Sequence, residues 1–323
     1  MTFDAASATL SPEAHVLVAD IGGTNTRVGL AQNGSVLRQT IRRFANADFA
    51  RPEAVLEAYL QAESPATPGA AVVAIAGTVL DGVAQMTNLD WTLNAQDLAH
   101  VTGAAQVRLL NDLQAQGHAL DHLAKGRCRK LLAAEQNRTA STRLVVGLGT
   151  GFNACPVHRG PTGLFVPAAE AGHCHLPLFG DEERALGQSL AKGRDGLVHI
   201  EALLSGPGLA RAYQYFATNA RTLSPAAVIA VVDSDPAAQQ ALQVFIRLLA
   251  RVLADLALLH LPFGGIYLVG GVSRAIAPLL GSMGFGDSLR AQVRILGLGG
   301  DFSVFLVTDD YAALSGSARL LLP

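Results

Sequence analysis

The sequence predicts an α/β protein built from two similar lobes, and three observations lead to that fold class. Short apolar runs end in glycine or small polar residues, which is typical of buried strands. Segments with helical periodicity lie between these runs, and such alternation indicates sheets covered by helices. A strand, a glycine-and-threonine turn and a second strand occur in that order twice. The chain of 323 residues is long enough for two hydrophobic cores.

The predicted elements alternate along the chain. The predicted strands cover residues 15–20, 71–77, 107–112, 143–151 and 264–271. The predicted helices cover residues 51–62, 95–102, 113–125, 208–219, 236–260 and 311–321. The most apolar stretch, residues 241–263, carries charges at four-residue spacing, which favours an amphipathic helix over a membrane span.

The two hairpin copies, residues 15–38 and 143–166, predict a duplicated fold. Each copy would bring its glycine-and-threonine tip to a cleft between the lobes. We expect the first lobe to cover residues 1–112 and the second to cover residues 113–310. The C-terminal helix, residues 311–323, can return to the first lobe.

Charge and composition argue against several classes of protein. The 24 basic and 26 acidic side chains leave a formal net charge of -2. The sequence therefore has no excess of positive charge that would indicate binding to nucleic acid or to a membrane surface. The three cysteines form no CxxC pair, which favours a reducing compartment. The N-terminal segment lacks the basic start and apolar core of a signal peptide. We therefore expect a cytoplasmic protein.

Three common catalytic motifs are missing from the sequence. It contains no Gly-Lys dipeptide and hence no Walker A loop, and it contains neither HExxH nor GxSxG. These absences exclude the ordinary P-loop kinases, the zinc proteases of that motif and the α/β-hydrolases.

The first candidate site is the turn Asp20-Ile21-Gly22-Gly23-Thr24-Asn25-Thr26. Glycines at a hairpin tip expose backbone N–H groups, and such a concavity suits phosphate oxygens. A carboxylate at the strand end, Asp20, can hold Mg²⁺ through water, because this ion retains much of its hydration shell. A tight structural turn with a capping aspartate is the alternative interpretation.

Two further glycine clusters follow predicted strands. Gly147-Leu148-Gly149-Thr150-Gly151 lacks the third glycine of a dinucleotide fingerprint, since Phe152 stands there, and we reject NAD. Its pairing with the first tip favours a second phosphate loop over a plain turn. Gly270-Gly271 separates a strand from a helix and leaves room for adenine or ribose beside the backbone. The alternative interpretation is that this pair only forms the junction between a strand and a helix.

Two groups of polar residues are candidates for chemistry on a substrate. Asn111-Asp112 ends a predicted strand, where a carboxylate can accept a proton from a hydroxyl group or simply cap the next helix. Glu170, His173 and Glu201 supply acceptors and a donor that suit the several hydroxyls of a sugar. A structural histidine, or a zinc site around His173 that lacks a full ligand set, is the alternative.

Several motifs in a fixed order resemble those of one known family. They read DIGGTNTRVGL, AIAGTV with MTNLDW, LLNDLQAQGHAL, GLGTGF, EAGH, LLSGPGLARAY and YLVGGV. Together they resemble bacterial glucokinases of the hexokinase–actin–Hsp70 superfamily over roughly residues 15–320. The resemblance implies a two-lobe, duplicated ribonuclease-H-like or actin-like ATPase fold with an interlobe cleft. It also implies a homodimer that uses ATP and Mg²⁺.

The resemblance assigns a role to each matching position. It implies that Asp112 is the catalytic base. It implies glucose ligands at Asn88, Asn111, Asp112, Glu170, His173 and Glu201, with Trp91 completing the Asn-x-x-Trp loop. The implied nucleotide-binding residues are Ala19, Asp20, Ile21, Gly22, Gly23, Thr24, Asn25, Gly149, Thr150, Gly151, Gly270 and Gly271.

The sequence departs from the family pattern at three points. Ala171 stands where the family usually has glycine, and its Cβ would strain the loop if that position required a positive φ. Leu148 stands where proline is common, and the cysteine-rich zinc motif of the related repressor–kinase group is missing, which favours the zinc-free branch.

The resemblance implies ATP-dependent phosphorylation of glucose at its 6-hydroxyl, the entry to glycolysis. Three alternatives remain open from the residues alone. They are a kinase for another hexose or an N-acetylhexosamine, a glucokinase that uses polyphosphate, and a sugar-binding regulator without catalysis.

Overall fold

The computed structural model describes residues 13–63, 66–86, 89–134, 142–161, 163–191, 196–217, 222–294 and 302–321. The chain divides into two compact units. Unit 1 comprises Met1–Leu123 and Asp310–Pro323, and unit 2 comprises Ala124–Asp309.

Unit 1 contains nine strands and four α-helices within its described residues. The strands are β1 (Val16–Ile21), β2 (Asn25–Gln32), β3 (Ser35–Val36), β4 (Arg42–Ala45), β5 (Ala70–Ile75), β6 (Gly77–Leu80), β7 (Val83–Met86), β8 (Thr92–Asn94) and β9 (Gln106–Asn111). The helices are α1 (Pro52–Glu63), α2 (Ala95–Thr102), α3 (Asp112–Ala119) and α11 (Ala312–Arg319), and 3-10 turns occur at Arg38–Thr40, Asn46–Asp48 and Leu120–His122.

Unit 2 contains six strands and seven α-helices within its described residues. The strands are β10 (Cys128–Leu132), β11 (Arg143–Leu148), β12 (Phe152–Gly160), β13 (Gly163–Phe165), β14 (Ile266–Val269) and β15 (Val304–Val307). The helices are α4 (Gly180–Leu190), α5 (Ile200–Leu203), α6 (Gly206–Phe216), α7 (Pro225–Ala230), α8 (Pro236–His260), α9 (Gly271–Ile276) and α10 (Phe285–Val293), with a 3-10 turn at Ala171–His173.

The main sheet of unit 1 has the strand order β3-β2-β1-β5-β9, and β4 pairs with β2. Strand β1 is antiparallel to β2 and parallel to β5, which in turn is parallel to β9. The register aligns Ile21, Ile75 and Asn111, so the carboxyl ends of three neighbouring strands meet at one edge of the sheet. Loops that follow these three residues therefore lie side by side.

The side chains of β1 point alternately to the two faces of the unit 1 sheet, and both faces are buried. Leu17, Ala19 and Ile21 pack with α1 and α2 in one core, whereas Val16 and Val18 pack with α3 and α11 in another. A strand buried on both sides reads as a continuous apolar run, as residues 15–20 do in the sequence. Helix α11 thus supplies part of a core whose other members lie in the N-terminal part of the chain.

The main sheet of unit 2 repeats the arrangement of unit 1. Its strand order is β10-β15-β14-β11-β12-β13. Strand β11 forms an antiparallel hairpin with β12 and pairs in parallel with β14, and β14 pairs in parallel with β15. The strands β11, β12, β13, β14 and β15 therefore correspond to β1, β2, β3, β5 and β9. The duplication predicted from the two hairpin copies is confirmed at the level of strand order and direction.

The long helix α8 forms the centre of the unit 2 core. Asp235 caps its N-terminus by accepting hydrogen bonds from Ala237 N and Ala238 N, and Pro236 occupies the first turn. The residue that follows the helix, Leu261, is its C-cap and has the left-handed conformation. The described residues contain no helix that is long and apolar enough to span a membrane.

Two of the charged residues on one face of α8, Arg247 and Arg251, form ion pairs with the buried carboxylate of Glu183. Arg251 Nη1 donates to Glu183 Oε2 over 2.6 Å and to Pro177 O over 2.7 Å, and Arg247 Nε donates to Glu183 Oε1 over 2.8 Å. Phe179 N also donates to Glu183 Oε2, and the Arg251 guanidinium stacks over the Phe179 ring. This network fastens α4 and the preceding loop to α8.

Candidate functional site

The first glycine-and-threonine turn connects β1 and β2 in unit 1. Its tip is closed by a hydrogen bond from Gly22 N to Asn25 O over 3.0 Å. The side chains of Ala19 and Ile21 are fully buried, so these two residues can offer a ligand their backbone atoms alone. The backbone around Gly22, Gly23 and Thr24 thus carries the anion-binding potential of the turn.

Asp20 lies at the base of this turn and is paired with Arg27. The distance from Arg27 Nη1 to Asp20 Oδ2 is 3.2 Å, and the Asp20 side chain is 14% exposed. Burial raises the pKa of Asp20, and the Arg27 guanidinium opposes part of that rise. One carboxylate beside a glycine-rich turn fits a hydrated Mg²⁺ ion, whose other ligands are commonly water and phosphate oxygens. The described residues contain no cluster of three or more histidine, cysteine or acidic side chains suited to a metal.

Asn111 and Asp112 lie at the same sheet edge as the first turn. Asn111 is the last residue of β9, and the register places it two strands from Ile21, about 10 Å away at the usual strand spacing. Asn111 is also the N-cap of α3, with Gln114 completing a capping box. The helix-cap interpretation is therefore confirmed for Asn111.

The side chain of Asn111 is committed to holding the backbone. Its Nδ2 donates to Gly77 O over 2.9 Å, and its Oδ1 accepts from Leu113 N over 2.9 Å. Asp112 is half-buried, and its Oδ1 accepts from Leu113 N over 2.8 Å. The start of α3 thus holds a carboxylate in a fixed position at the edge of the sheet.

The predicted Asn-x-x-Trp loop follows β7. Asn88 lies outside the described residues. Trp91 is 8% exposed, packs in the core with α1 and α2, and accepts a hydrogen bond at its carbonyl oxygen from Met86 N over 3.1 Å. Trp91 therefore closes this loop as a core residue.

The second turn connects β11 and β12 in unit 2. Gly149 N donates to Gly151 O over 3.0 Å, and Gly149 O accepts from Gly206 N over 2.8 Å. Strand β14 runs beside β11, with Val269 opposite Gly147, so Gly270 follows at the same edge. Gly270 has φ +101, and a Cβ there would overlap Leu148 O, whereas a Cβ on Gly271 would meet open space. The second turn and the Gly270-Gly271 pair are thus neighbours.

The predicted sugar ligands of unit 2 lie against this second turn. Glu201 Oε2 accepts a hydrogen bond from Phe152 N over 3.0 Å, and a Cβ on Gly151 would overlap the same oxygen. A Cβ on Gly172 would overlap Phe152 O, so the Glu170 loop packs directly on the start of β12. The structure therefore brings together residues that are separated by dozens of positions in the sequence.

Glu170 and His173 lie on the 3-10 turn Ala171–His173 and its N-cap. The distance from His173 Nδ1 to Glu170 Oε2 is 3.8 Å. Burial raises the pKa of Glu170; His173 opposes this shift, and the neighbouring negative charge of Glu201 adds to it. Ala171 lies in a 3-10 turn, and its φ is not positive. The strain considered for Ala171 therefore does not arise.

Three residues that support these loops were missed by the sequence analysis. Asn46 bonds to the first turn in unit 1. In unit 2, Asn153 Nδ2 donates to Ala169 O over 2.6 Å and its Oδ1 accepts from Ala171 N over 2.9 Å. The His199 ring bonds through Nδ1 to His173 O over 2.7 Å. Their contacts are distant in sequence, and no local pattern marks them.

Comparison with known proteins places this geometry among sugar kinases. A family model described as Glucokinase matches residues 17–322. A glucokinase from Chromohalobacter salexigens is 30% identical over 312 residues, covering 94% of this chain and 97% of that protein. The crystal structure of a glucokinase from an Antarctic psychrotroph superposes with a TM-score of 0.80 at 27% identity, covering 95% of this chain and 98% of the other.

A third comparison concerns the fold alone. The structure of a ROK family glucokinase from Streptomyces griseus, in complex with glucose and AMPPNP, gives a TM-score of 0.62 at 21% identity and covers 95% of this chain and 98% of the other. Together with the repeated sheets, these matches confirm the duplicated actin-like α/β fold predicted from the sequence.

Proposed function

The chain belongs to the glucokinase family, and we propose from this premise that it transfers the γ-phosphoryl group of ATP to the 6-hydroxyl of glucose. The observation that carries the proposal is the common sheet edge of unit 1, where Asp112 lies two strands from the Gly22-Gly23-Thr24 turn. An anion-binding turn and a carboxylate at that separation suit a phosphate chain and an acceptor hydroxyl.

We propose that the two glycine-and-threonine turns bind the phosphates of ATP. The backbone N–H groups of Gly22, Gly23 and Thr24 serve one turn, and those of Gly149, Thr150 and Gly151 serve the other. The open space beside Gly271 suits the adenosine, since a Cβ built there meets no atom of the described residues within 4 Å other than those of its chain neighbours and its own helix backbone. Asp20 would hold Mg²⁺ through water, and the ion, when bound, neutralises charge on the phosphates.

The acidic group of unit 2 is the proposed glucose site. Glu170, Glu201 and His173 provide acceptors for several sugar hydroxyls, and His173 can also donate. The Glu170 side chain is 38% exposed, so a sugar can reach its oxygens from solvent, while its remaining contacts hold it beside Glu201 and His173. We extend the sugar ligands to Asn88 and Asn111 on the resemblance of their motifs. Asn111 would use the second N–H of its Nδ2 group, since the first is bonded to Gly77 O.

Asp112 is the proposed catalytic base. The oxygen of the 6-hydroxyl forms a bond to the γ-phosphorus while the bond from that phosphorus to the bridging oxygen of ADP breaks. The hydroxyl proton passes to the Asp112 carboxylate, leaving glucose 6-phosphate and ADP. The transition state is loose, so accurate positioning of the two substrates contributes most of the catalysis.

The cellular setting follows from the proposed reaction. ATP as donor and three free cysteines support a cytoplasmic location. Glucose 6-phosphate as product supports a role at the entry to glycolysis. A homodimer is proposed from the family resemblance, and the mass of the purified protein in solution tests it.

A coupled assay of the purified protein tests the proposed function. ADP release with ATP, Mg²⁺ and glucose should exceed ADP release without glucose, and glucose 6-phosphate should form in equal amount. Absence of glucose-dependent turnover would overturn the proposal and favour a sugar-binding regulator.

Two substrate panels separate the alternatives. Mannose, fructose and N-acetylglucosamine replace glucose in the first, and polyphosphate replaces ATP in the second. We expect the highest kcat/KM for glucose with ATP. Deoxyglucoses that lack the 2-, 3- or 4-hydroxyl should each show a raised KM, because each leaves one proposed sugar ligand without its hydroxyl partner.

A further inference from the structure

We propose that Asn46 is a positioning residue that fixes the first phosphate-binding turn in its anion-binding conformation. The inference rests on the proposed function in one respect, namely that this turn binds the phosphates of ATP. Asn46 lies outside every motif singled out in the sequence, some twenty positions beyond the turn. Its side chain is 3% exposed, so its hydrogen bonds form in a site that excludes water.

Asn46 makes three hydrogen bonds to the turn and its flank. Its Nδ2 donates to Gly22 O over 2.7 Å, its backbone N donates to Thr24 O over 2.9 Å, and its Oδ1 accepts from Thr26 Oγ1 over 2.8 Å. The side chain therefore bonds to Gly22 on one side of the turn and to Thr26, in β2, on the other side. Few single side chains could restrain the turn at both of its ends.

The carbonyl of Gly22 fixes which way the Asn46 amide faces, because that oxygen can only accept a hydrogen bond and must therefore face Nδ2. The hydroxyl of Thr26 then donates to the amide oxygen and holds the amide from its other side. Thr26 is fully buried, so its hydroxyl has little competition from water for this bond. Thr26 and Asn46 thus form one hydrogen-bonded unit that ends on the glycine carbonyl.

The bond to Gly22 O determines the direction of an N–H group in the turn. In a trans peptide the C=O and the following N–H point in opposite directions. With Gly22 O directed to Asn46, the Gly23 N–H of the same peptide plane is directed away from Asn46. A phosphate oxygen needs backbone N–H groups directed toward it, and an unrestrained glycine pair would sample other orientations.

The position of Asn46 itself is secured by the surrounding structure. Strand β4 pairs with β2, with Ala45 opposite Asn25, and Asn46 follows at the start of a 3-10 turn. Phe49 N donates to Asn46 O over 3.1 Å, and the rings of Phe44 and Phe49 pack edge to face with centroids 5.8 Å apart. Strand β4 and the 3-10 turn therefore hold Asn46 in place, and Asn46 in turn restrains the glycine-and-threonine turn.

The test compares steady-state kinetics of Asn46→Ala with those of the unmodified enzyme. We expect KM for ATP to rise about tenfold or more, because the substitution removes both buried side-chain hydrogen bonds that restrain the turn, while KM for glucose changes less than twofold. Asn94→Ala is the matched control, because Asn94 caps α2 in the same unit by accepting from Gln96 N over 2.8 Å. It should lower the melting temperature without changing KM for ATP.

A pair of substitutions at Thr26 provides a test that does not depend on Asn46→Ala folding. Thr26→Val removes the hydroxyl that holds the amide oxygen of Asn46 in place, and it should raise KM for ATP. Thr26→Ser keeps the hydroxyl and should restore KM for ATP to within twofold. If the unmodified enzyme phosphorylates glucose, and both Asn46→Ala and Thr26→Val retain its KM for ATP, the positioning role is refuted. If the unmodified enzyme shows no such turnover, the proposed function fails instead.

Discussion

Glu201 Oε2 accepts a hydrogen bond from Phe152 N over 3.0 Å, immediately after the second glycine-and-threonine turn. A carboxylate that we assign to the sugar is thereby bonded to the first residue of β12, directly after a turn that we assign to the phosphates. Movement of either group displaces the other. The accuracy of sugar binding and of phosphate binding in unit 2 should therefore depend on the same contact.

Substitution of Gly151 tests this contact. A Cβ on Gly151 would overlap Glu201 Oε2, the mobile end of a side chain, so Gly151→Ala should displace the carboxylate with little loss of folding stability. We expect KM for glucose to rise about tenfold, by loss of one charged hydrogen bond. Gly281→Ala, where the added methyl group meets open space, serves as the control. An unchanged KM for glucose in Gly151→Ala would show that Glu201 does not bind the sugar.

Asp112→Asn should isolate the role of the carboxylate in proton transfer. The amide oxygen can still accept the bond from Leu113 N, so the start of α3 stays capped. Removal of a general base typically lowers the rate by about 100-fold or more, and we expect that effect on kcat with little change in KM for ATP. Asp97→Asn, at an exposed site in the first turn of α2, should leave kcat unchanged. A wild-type kcat in Asp112→Asn would refute the assignment.

The neighbouring glycines at the start of α9 should respond in opposite ways. Gly270→Ala places a Cβ against Leu148 O at a φ of +101, and it should destabilise unit 2 by about 1–3 kcal/mol. Gly271→Ala adds a methyl group in open space, so it should fold normally and raise KM for ATP if adenosine lies there. Thermal melting and ATP kinetics of the two variants separate these effects. Equal melting temperatures would contradict the close approach at Gly270.

Sugar binding should weaken at acidic pH because of Glu170. Burial raises the pKa of Glu170 above that of an ordinary glutamate, with His173 opposing and Glu201 adding to the shift. As the pH falls through that raised pKa, the carboxylate is protonated and loses acceptor capacity, so KM for glucose should rise. Glu170→Gln should flatten this dependence, whereas Glu182→Gln, at an exposed site, should retain it. A parallel pH profile for Glu170→Gln would rule out Glu170 as the titrating group.

The same pKa shift has a separate effect on stability. An acid whose folded pKa is raised above its unfolded value favours the folded state at low pH, and that contribution is lost as the pH rises through the folded pKa. Glu170→Gln should therefore melt at a slightly higher temperature than the unmodified enzyme at neutral pH. A lower melting temperature there would contradict this sign.

Glu183 should be essential to the stability of unit 2. Its side chain is 4% exposed, and its removal leaves the Arg251 guanidinium buried without a carboxylate, which typically costs about 3–5 kcal/mol. Burial alone would raise the pKa of Glu183, but Arg251, Phe179 N and Arg247 together lower it. The stability it contributes is thus present above the pKa of an ordinary glutamate and is lost as the pH falls through the lower folded value.

Unfolding of Glu183→Ala in denaturant checks this prediction. The comparison is Asp181→Ala, which removes an exposed carboxylate 3.8 Å from Arg184 and should change the free energy of unfolding by less than about 0.5 kcal/mol. Similar losses in the two variants would show that the buried network contributes little.

Elements with strong local signals could be predicted from the sequence, whereas features that depend on contacts between distant residues could not. The hairpins at Gly22 and Gly149 were found because glycine and threonine between apolar runs mark a turn. The helix predicted over residues 113–125 is shorter in the structure, ending at Ala119, where the chain tightens into a 3-10 turn. Strand β15 was missed although it is as long as β14, because its apolar run ends in Thr308-Asp309 and lacks the glycine pair that marked the end of β14.

The same distinction applies to the candidate site. The carboxylates Asp112, Glu170 and Glu201 were singled out because acidic residues beside glycine-rich turns suggest chemistry. Asn46 and Asn153 were missed because their importance lies in which backbone groups they reach, and folding alone brings those groups within reach. Supporting residues of this kind become visible when the hydrogen bonds of each turn are traced.

The return of α11 to unit 1 has a consequence for how the protein is made. This helix packs so tightly on α3 that a Cβ at Gly316 would overlap Ala115 O, and it covers Val18 and Leu110. On the ribosome, all of unit 2 is synthesised before that covering helix emerges. Until α11 has been synthesised, the part of this apolar face that α3 does not cover must therefore stay exposed to chaperones or to unwanted association.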